Sequence, residues 1–241
     1  MNTSKIDKAY THFNNVDRYL RQKFDIRVRA EIVKELMGKL ENIDIIDFGC
    51  GDGSISLQFQ SLTNHITLVD ISENMLERAS LNIRPEYAHN IKTIKSDVLS
   101  FVSLKKYDVV MGLGLIAHVD SIPKTLKVMA GLLKENGVCL VQLTDSTKIV
   151  SRLLNVYNNM LDKVSGQFDY NRNRISVFQL NGLAKKHGLY CISQQQYSLV
   201  FPGFIGLMSD KLLYRYHSFV RKNAVLSSMG TDFILCFRKR K

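Results

Sequence analysis

Phe48-Gly49-Cys50-Gly51-Asp52-Gly53 sets three glycines at alternate positions, directly behind the β-branched run Ile43-Asp44-Ile45-Ile46-Asp47-Phe48. Glycine reaches the backbone conformations of a sharp turn without steric cost, and it lets a ligand approach the main chain closely. The spacing predicts a strand, a tight glycine turn and then a helix whose free N–H groups suit a carboxylate or phosphate. Such a turn belongs to a sheet whose strands alternate with helices.

The chain shows that alternation. Ile26, Ala30, Val33, Met37 and Leu40 recur at three- and four-residue steps, one helical face leading into the first strand. Further strand-like runs stand at 65–70, 91–94, 107–111 and 137–143, with helical segments expected between them. Before the fifth run, Ser121 is a cap, Pro123 sits in a first turn, Leu126, Met129, Ala130 and Leu133 form a buried face, and Gly137 is expected to end the helix. Strands joined by crossover helices make a mainly parallel, doubly wound α/β sheet with helices on both faces.

With 241 residues, 45% of them hydrophobic, the chain suits one domain. Its expected parts are an N-terminal helical cap at 1–42, a core at 43–145 and a further region at 146–241. That last region reads as helices near 148–164 and 177–187, strands near 189–197 and 232–237, and an insertion at 200–224. The insertion opens with Pro202, Gly203 and Gly206 and carries an amphipathic helix, suited to a lid, a subunit contact or a membrane-surface patch.

Asp70 ends the second strand 17 positions after Gly53, where a carboxylate can accept two hydrogen bonds from a ribose diol. Asp97, 27 positions further on, follows the third strand in Ser96-Asp97-Val98 and is placed to read the edge of a base. Ser54 stands where a nicotinamide-dinucleotide fingerprint would need its third glycine. Taken as a set, Ile45-Ile46-Asp47-Phe48-Gly49-Cys50-Gly51-Asp52-Gly53, Leu68-Val69-Asp70-Ile71-Ser72, Ser96-Asp97-Val98 and Tyr107-Asp108-Val109-Val110 resemble the class I S-adenosylmethionine-dependent methyltransferases, over roughly 43–143.

The resemblance implies a Rossmann-like seven-stranded sheet with an antiparallel last strand, and S-adenosylmethionine as cofactor. It implies that Asp47, Gly49, Cys50, Gly51 and Gly53 lie by the methionine part, and that Asp70, with Ile71 and Met75 behind it, binds the ribose. It further implies that Asp97 and Val98 contact the adenine and that Gly112 and Leu113 lie by the amino-acid end. His118, in the segment after the fourth strand, is the candidate base for an acceptor hydroxyl. Tyr10, Phe13, Tyr19 and Asp145 are candidate acceptor contacts. Phe201, Phe204, Met208, Tyr214, Tyr216 and His217 either line an apolar acceptor pocket or form a buried helix face.

The expected partner is a small-molecule acceptor such as a quinone, porphyrin, glycan or lipid-linked metabolite, with oxygen the expected atom. A net charge of +11 also admits RNA or an anionic membrane surface, with 201–241 carrying eight Lys or Arg against two Asp or Glu. No amine-methylating N/D-P-P-F/Y motif and no Pro-Cys nucleophile supports the RNA reading, and DNA is not expected. A non-catalytic partner subunit is the remaining alternative, opposed by the intact glycine turn. The four cysteines, 50, 139, 191 and 236, are far apart, without the pairing of a metal or redox site, and read as reduced, mostly buried thiols. No export signal or membrane-spanning run is visible, so the expected compartment is the cytoplasm.

Overall fold

The computed structural model describes residues 23–156, 172–200 and 208–240. Tyr10, Phe13, Tyr19, Phe201 and Phe204 lie outside the described residues. The elements are α1 (Lys23–Met37), β1 (Asp44–Phe48), β2 (His65–Asp70), α2 (Glu73–Leu81), β3 (Ile91–Lys95), β4 (Tyr107–Gly112), α3 (Ile122–Leu132) and β5 (Leu133–Thr144). They continue with α4 (Val177–Lys185), β6 (Leu189–Tyr197), α5 (Asp210–Lys222), α6 (Ala224–Ser228) and β7 (Asp232–Lys239). A further helical stretch covers 149–156.

The strands form one sheet in the order β3-β2-β1-β4-β5-β7-β6. β1 to β5 pair in parallel, whereas β7 runs antiparallel to both β5 and β6. Side chains alternate along each strand, so the sheet separates two cores. Ile46, Phe48, Val110, Val141 and Leu235 face α3 and α4, burying Leu126, Met129 and Leu180. Ile45, Leu68, Val109, Leu140 and Ile234 face α1 and α2, burying Ile32, Val33 and Ala79. These are the helices on both faces that the alternation predicts.

Three local readings are corrected. Behind the glycine turn there is no α-helix, only a 3₁₀ turn at Ser56–Phe59. Ile55, Leu57 and Phe59 recur every second residue, not at helical steps, and Asp52 Oδ1 takes the Ser54 N–H into a turn of its own. The β3–β4 connection also lacks its helix. Asp97 Oδ2 accepts the Leu99 N–H and Ser103 Oγ the Lys105 N–H, giving two side-chain-capped turns, and Phe101 anchors the loop edge-on to Phe48 at 5.2 Å. Finally, α3 stops at Leu132, and Gly137 lies inside β5 rather than after the helix. A Cβ there would stand 3.1 Å from the Asp108 carbonyl of β4, so glycine permits the close strand approach at this register shift.

The 200–224 insertion does contain the amphipathic helix. α5 packs on α1 through Arg221, whose guanidinium meets Glu31 at 2.8 Å and Glu35 at 2.6 Å, and through Tyr214, which donates to Glu31. His217 is buried and stacked on Phe24 at 5.1 Å, and burial lowers its pKa. Tyr214 and His217 thus belong to a helix–helix face. Among the described residues no helix is long and apolar enough to cross a membrane. Cys50, Cys139 and Cys236 are buried and Cys191 is exposed; all four are free thiols.

Candidate active site

The C-terminal ends of β1, β2, β3 and β4 carry the candidate residues, and backbone hydrogen bonds stitch the ends of β1, β2 and β3 together. Gly49 N–H donates to the Val69 carbonyl at 2.8 Å, and Ser96 N–H donates to the Asp70 carbonyl at 3.0 Å. Gly49, Gly51 and Gly53 all have positive φ, as the spacing requires. At Gly53 the demand is double, since φ is +71° and a Cβ would stand 2.8 Å from Leu57 Cδ1. A Cβ on Gly49 would stand 3.4 Å from Leu115 in the loop after β4, an ordinary contact, so there the positive φ rather than crowding calls for glycine.

Asp70 holds this turn. One carboxylate oxygen accepts the Gly51 N–H and the other the Ser72 N–H, both at 2.9 Å. The residue is 8% exposed, so it is a buried brace for the turn. Burial raises its pKa, with the N–H groups of Ser72, Gly51 and Ile71 pulling the other way. Ser72 also caps α2 by accepting the Met75 N–H, which turns the Met75 side chain into the buried face of that helix. Asp47, on β1, is pushed up to about 7 by burial, with the Asp70 charge adding to the rise and Arg29 opposing it. Burial pushes the Cys50 thiol up as well.

Asp97 and Val98 follow β3 as expected, Val98 buried and Asp97 half-buried at its turn. Gly112 closes β4, and Leu113 is buried beside it. His118 is half-buried in the next turn, its N–H donating to the Leu115 carbonyl at 2.9 Å. Asn173 braces that turn from outside, its side-chain amide donating to the Ile116 and Val119 carbonyls at 3.0 and 2.6 Å.

Asp145 has a different setting from the other candidates. Oδ1 accepts the Thr147 N–H and hydroxyl at 2.8 and 2.6 Å, and Oδ2 accepts the Val177 N–H at 3.0 Å. Burial acts to raise its pKa, but the Thr147 hydroxyl, the two N–H groups and the Lys148 charge together hold it low. The carboxylate ties the start of α4 to the end of β5.

Arg29 is the residue that sequence reasoning missed. It is 8% exposed on α1, pairs with Asp25 at 3.0 Å and donates to Gln142 of β5 at 3.2 Å. A Cβ on Gly114 would lie 3.8 Å from its Nη1, so the guanidinium sits beside the loop after β4. The available signal was an arginine three positions after Ile26 and four before Val33, on the apolar face of its helix. Next to it, the paired residues Thr144, Asp232 and Tyr197 form a row across β5, β7 and β6. Burial raises Asp232 to about 6, and the Thr144 hydroxyl donates to it. No group of three His, Cys, Asp or Glu that could hold a metal ion occurs among the described residues.

The model of a methyltransferase domain family matches residues 39–197. The chain is 28% identical over 109 residues to a ubiquinone biosynthesis O-methyltransferase of Rickettsia felis, a stretch covering 45% of this chain and 44% of that one. It is 30% identical over 146 residues to a demethylmenaquinone methyltransferase of Leptospira interrogans, covering 58% of this chain and 57% of that one. The match thus spans about half the length of these relatives. The magnesium protoporphyrin IX methyltransferase of Synechocystis PCC 6803, solved with bound SAH, superposes with a TM-score of 0.65 at 16% identity, covering 98% of this chain and 100% of that one, and shares the fold.

Proposed function

The chain belongs to the methyltransferase domain family, and on that premise we propose that it transfers a methyl group from S-adenosylmethionine to a small-molecule acceptor, with a hydroxyl oxygen as the receiving atom. The observation that carries this reading is the double hydrogen bond by which Asp70 fixes the glycine turn at the end of β2. The two carboxylate oxygens, while accepting backbone N–H groups, retain lone-pair capacity for a ribose hydroxyl. Gly49, Gly51 and Gly53 leave the main chain of the turn bare of side chains, which suits a ligand lying against it. These residues therefore fit the cofactor.

When bound, S-adenosylmethionine supplies an electrophilic methyl on a sulfonium centre. The protein's part is alignment and proton removal. Asp70 would hold the ribose, Asp97 and Val98 the adenine, and the glycine turn with Gly112 and Leu113 the amino-acid end. The Arg29 guanidinium beside Gly114 suits the carboxylate of that end. His118, in a turn braced by Asn173, would accept the acceptor's proton. Asp145 is assigned to the frame, since both its oxygens already serve the β5–α4 junction. The name of the ubiquinone biosynthesis O-methyltransferase favours an aromatic hydroxyl among acceptors.

The test is calorimetric titration of the protein with S-adenosylmethionine, S-adenosylhomocysteine and NAD, followed by methyl transfer to a panel of catechols and quinols. Micromolar binding of the first two, no binding of NAD and transfer to a hydroxyl are expected. Binding of NAD alone would overturn the cofactor assignment. His118→Ala should lower turnover about a hundredfold or more while cofactor affinity is kept; unchanged turnover would remove His118 as the base.

A further inference from the structure

The missing helix of the β3–β4 connection leaves one part of the sheet uncovered. On the α3 and α4 face, β2 and β3 expose His65 and Lys92, beside the buried Thr67 and half-buried Ile94, where a crossover helix would rest. The result is a groove of about 630 Å³. Five of its fifteen lining residues are His or Lys, namely His65, His89, Lys92, Lys95 and Lys105, and none is a carboxylate. Asp44 reaches Lys105 at 2.7 Å and His65 at 3.9 Å, and Glu73 pairs with Lys95 at 2.7 Å. Lys92 and His89 face no carboxylate among the described residues.

A second observation lies on the groove's rim. Leu104 is 98% exposed and Val102 91%, the two most exposed large apolar side chains among the described residues. They stand in Ser100-Phe101-Val102-Ser103-Leu104-Lys105-Lys106, held out by the Ser103-capped turn and anchored inward by Phe101. A tip with two apolar side chains is too small for a stable protein interface, which needs roughly 800 Å² from each partner. It also lacks the exposed aromatic platform on which single-stranded RNA stacks, because Phe101 is turned onto Phe48 and Tyr107 is buried. Apolar side chains flanked by lysines do match an anionic lipid surface, whose acyl boundary takes the first and whose phosphates take the second.

We propose that the β3–β4 connection is a docking tip for anionic phospholipid membranes, with Val102 and Leu104 entering the acyl boundary and the cationic groove receiving a headgroup phosphate. The contact is peripheral and reversible, and weakens with salt.

Sedimentation of the full chain with vesicles tests this, using phosphatidylcholine alone and phosphatidylcholine mixed with phosphatidylglycerol. Binding to the mixed vesicles and not to pure phosphatidylcholine is expected. The charge-neutral pair Val102→Ser/Leu104→Ser should weaken it about tenfold or more, and Lys92→Ser about fivefold. Lys185→Ser/Lys186→Ser, twice the charge loss of Lys92→Ser but at the C-terminal end of α4 by the opposite sheet edge, should change it little. All these side chains are exposed, so melting curves should match the parent. Equal binding to pure phosphatidylcholine, insensitivity to the Val102/Leu104 pair, or equal sensitivity to the α4 pair would overturn the proposal. Displacement of the protein from vesicles by polyuridylate, with Lys92→Ser abolishing RNA binding, would overturn it in favour of nucleic acid. The readout is independent of methyl transfer.

Discussion

Asp47→Asn tests how the site is held before any ligand arrives. Asp47 is 4% exposed, and burial raises its pKa from an ordinary 3.8 to about 7. The folded state therefore binds this proton more tightly than the unfolded chain. The sign follows: the contribution to stability is full at acid pH and is lost as pH rises through the window from 3.8 to about 7. At 1.36 kcal/mol for each pH unit of that window, the loss is about 4 kcal/mol once the pH exceeds 7. Asparagine keeps the shape and cannot ionise. In urea denaturation the variant should be more stable than its parent by up to about 4 kcal/mol near pH 8, with the gap narrowing to about 1 to 2 kcal/mol near pH 5. A gap that does not change with pH, or a variant less stable than the parent near pH 8, would refute the claim that a buried carboxylate is kept there at the expense of stability.

Asp70→Ala leaves the Gly51 and Ser72 N–H groups without their carboxylate and should cost about 2–4 kcal/mol in denaturation, besides weakening cofactor binding; a loss below about 0.5 kcal/mol would mean that water replaces the brace. Gly53→Ala should lower stability by at least about 1–2 kcal/mol, from the positive φ alone, with Leu57 displaced as well; an unchanged melting temperature would count against the turn geometry. Arg221→Ala should cost about 1–2 kcal/mol, because the buried guanidinium loses its packing while the half-exposed Glu31 and Glu35 regain water. Because Arg221 holds Glu35 below its ordinary value, the pair's contribution is present above about pH 4.5 and fades on acidification, so parent and variant should converge at low pH.

The strands were legible because β-branched runs such as Ile43–Phe48 and 65–70 are short and bounded by polar residues. The glycine turn was legible because its three residues have to adopt positive φ. The empty β3–β4 crossover was not, since Val98, Leu99 and Phe101 satisfy a helical spacing as well as a loop, and Asp97 and Ser103 decide the matter through local side-chain bonds. Asp70 was placed correctly at its strand end, but its burial depends on a glycine turn folding over it from another strand. Arg29 was hidden for the same reason: its partners Gln142 and Gly114 lie far along the chain, and only packing of α1 against the sheet brings them together. The Val177 N–H that Asp145 accepts likewise comes from α4, 32 residues away.

β7 follows β6 in the chain yet lies between β5 and β6, pairing with each along most of its length. β6 therefore has no sheet partner until the segment after α6 arrives, and the sheet grows outward to β5 and then stops. Completion needs a strand inserted from the far side of a long excursion through α5, a step of high sequence separation and correspondingly slow closure. Until then the edge of β5 stands open to any other chain with a free strand. Refolding should show a late phase in which β6 and β7 protect their amides together, while β1 to β4 are already protected.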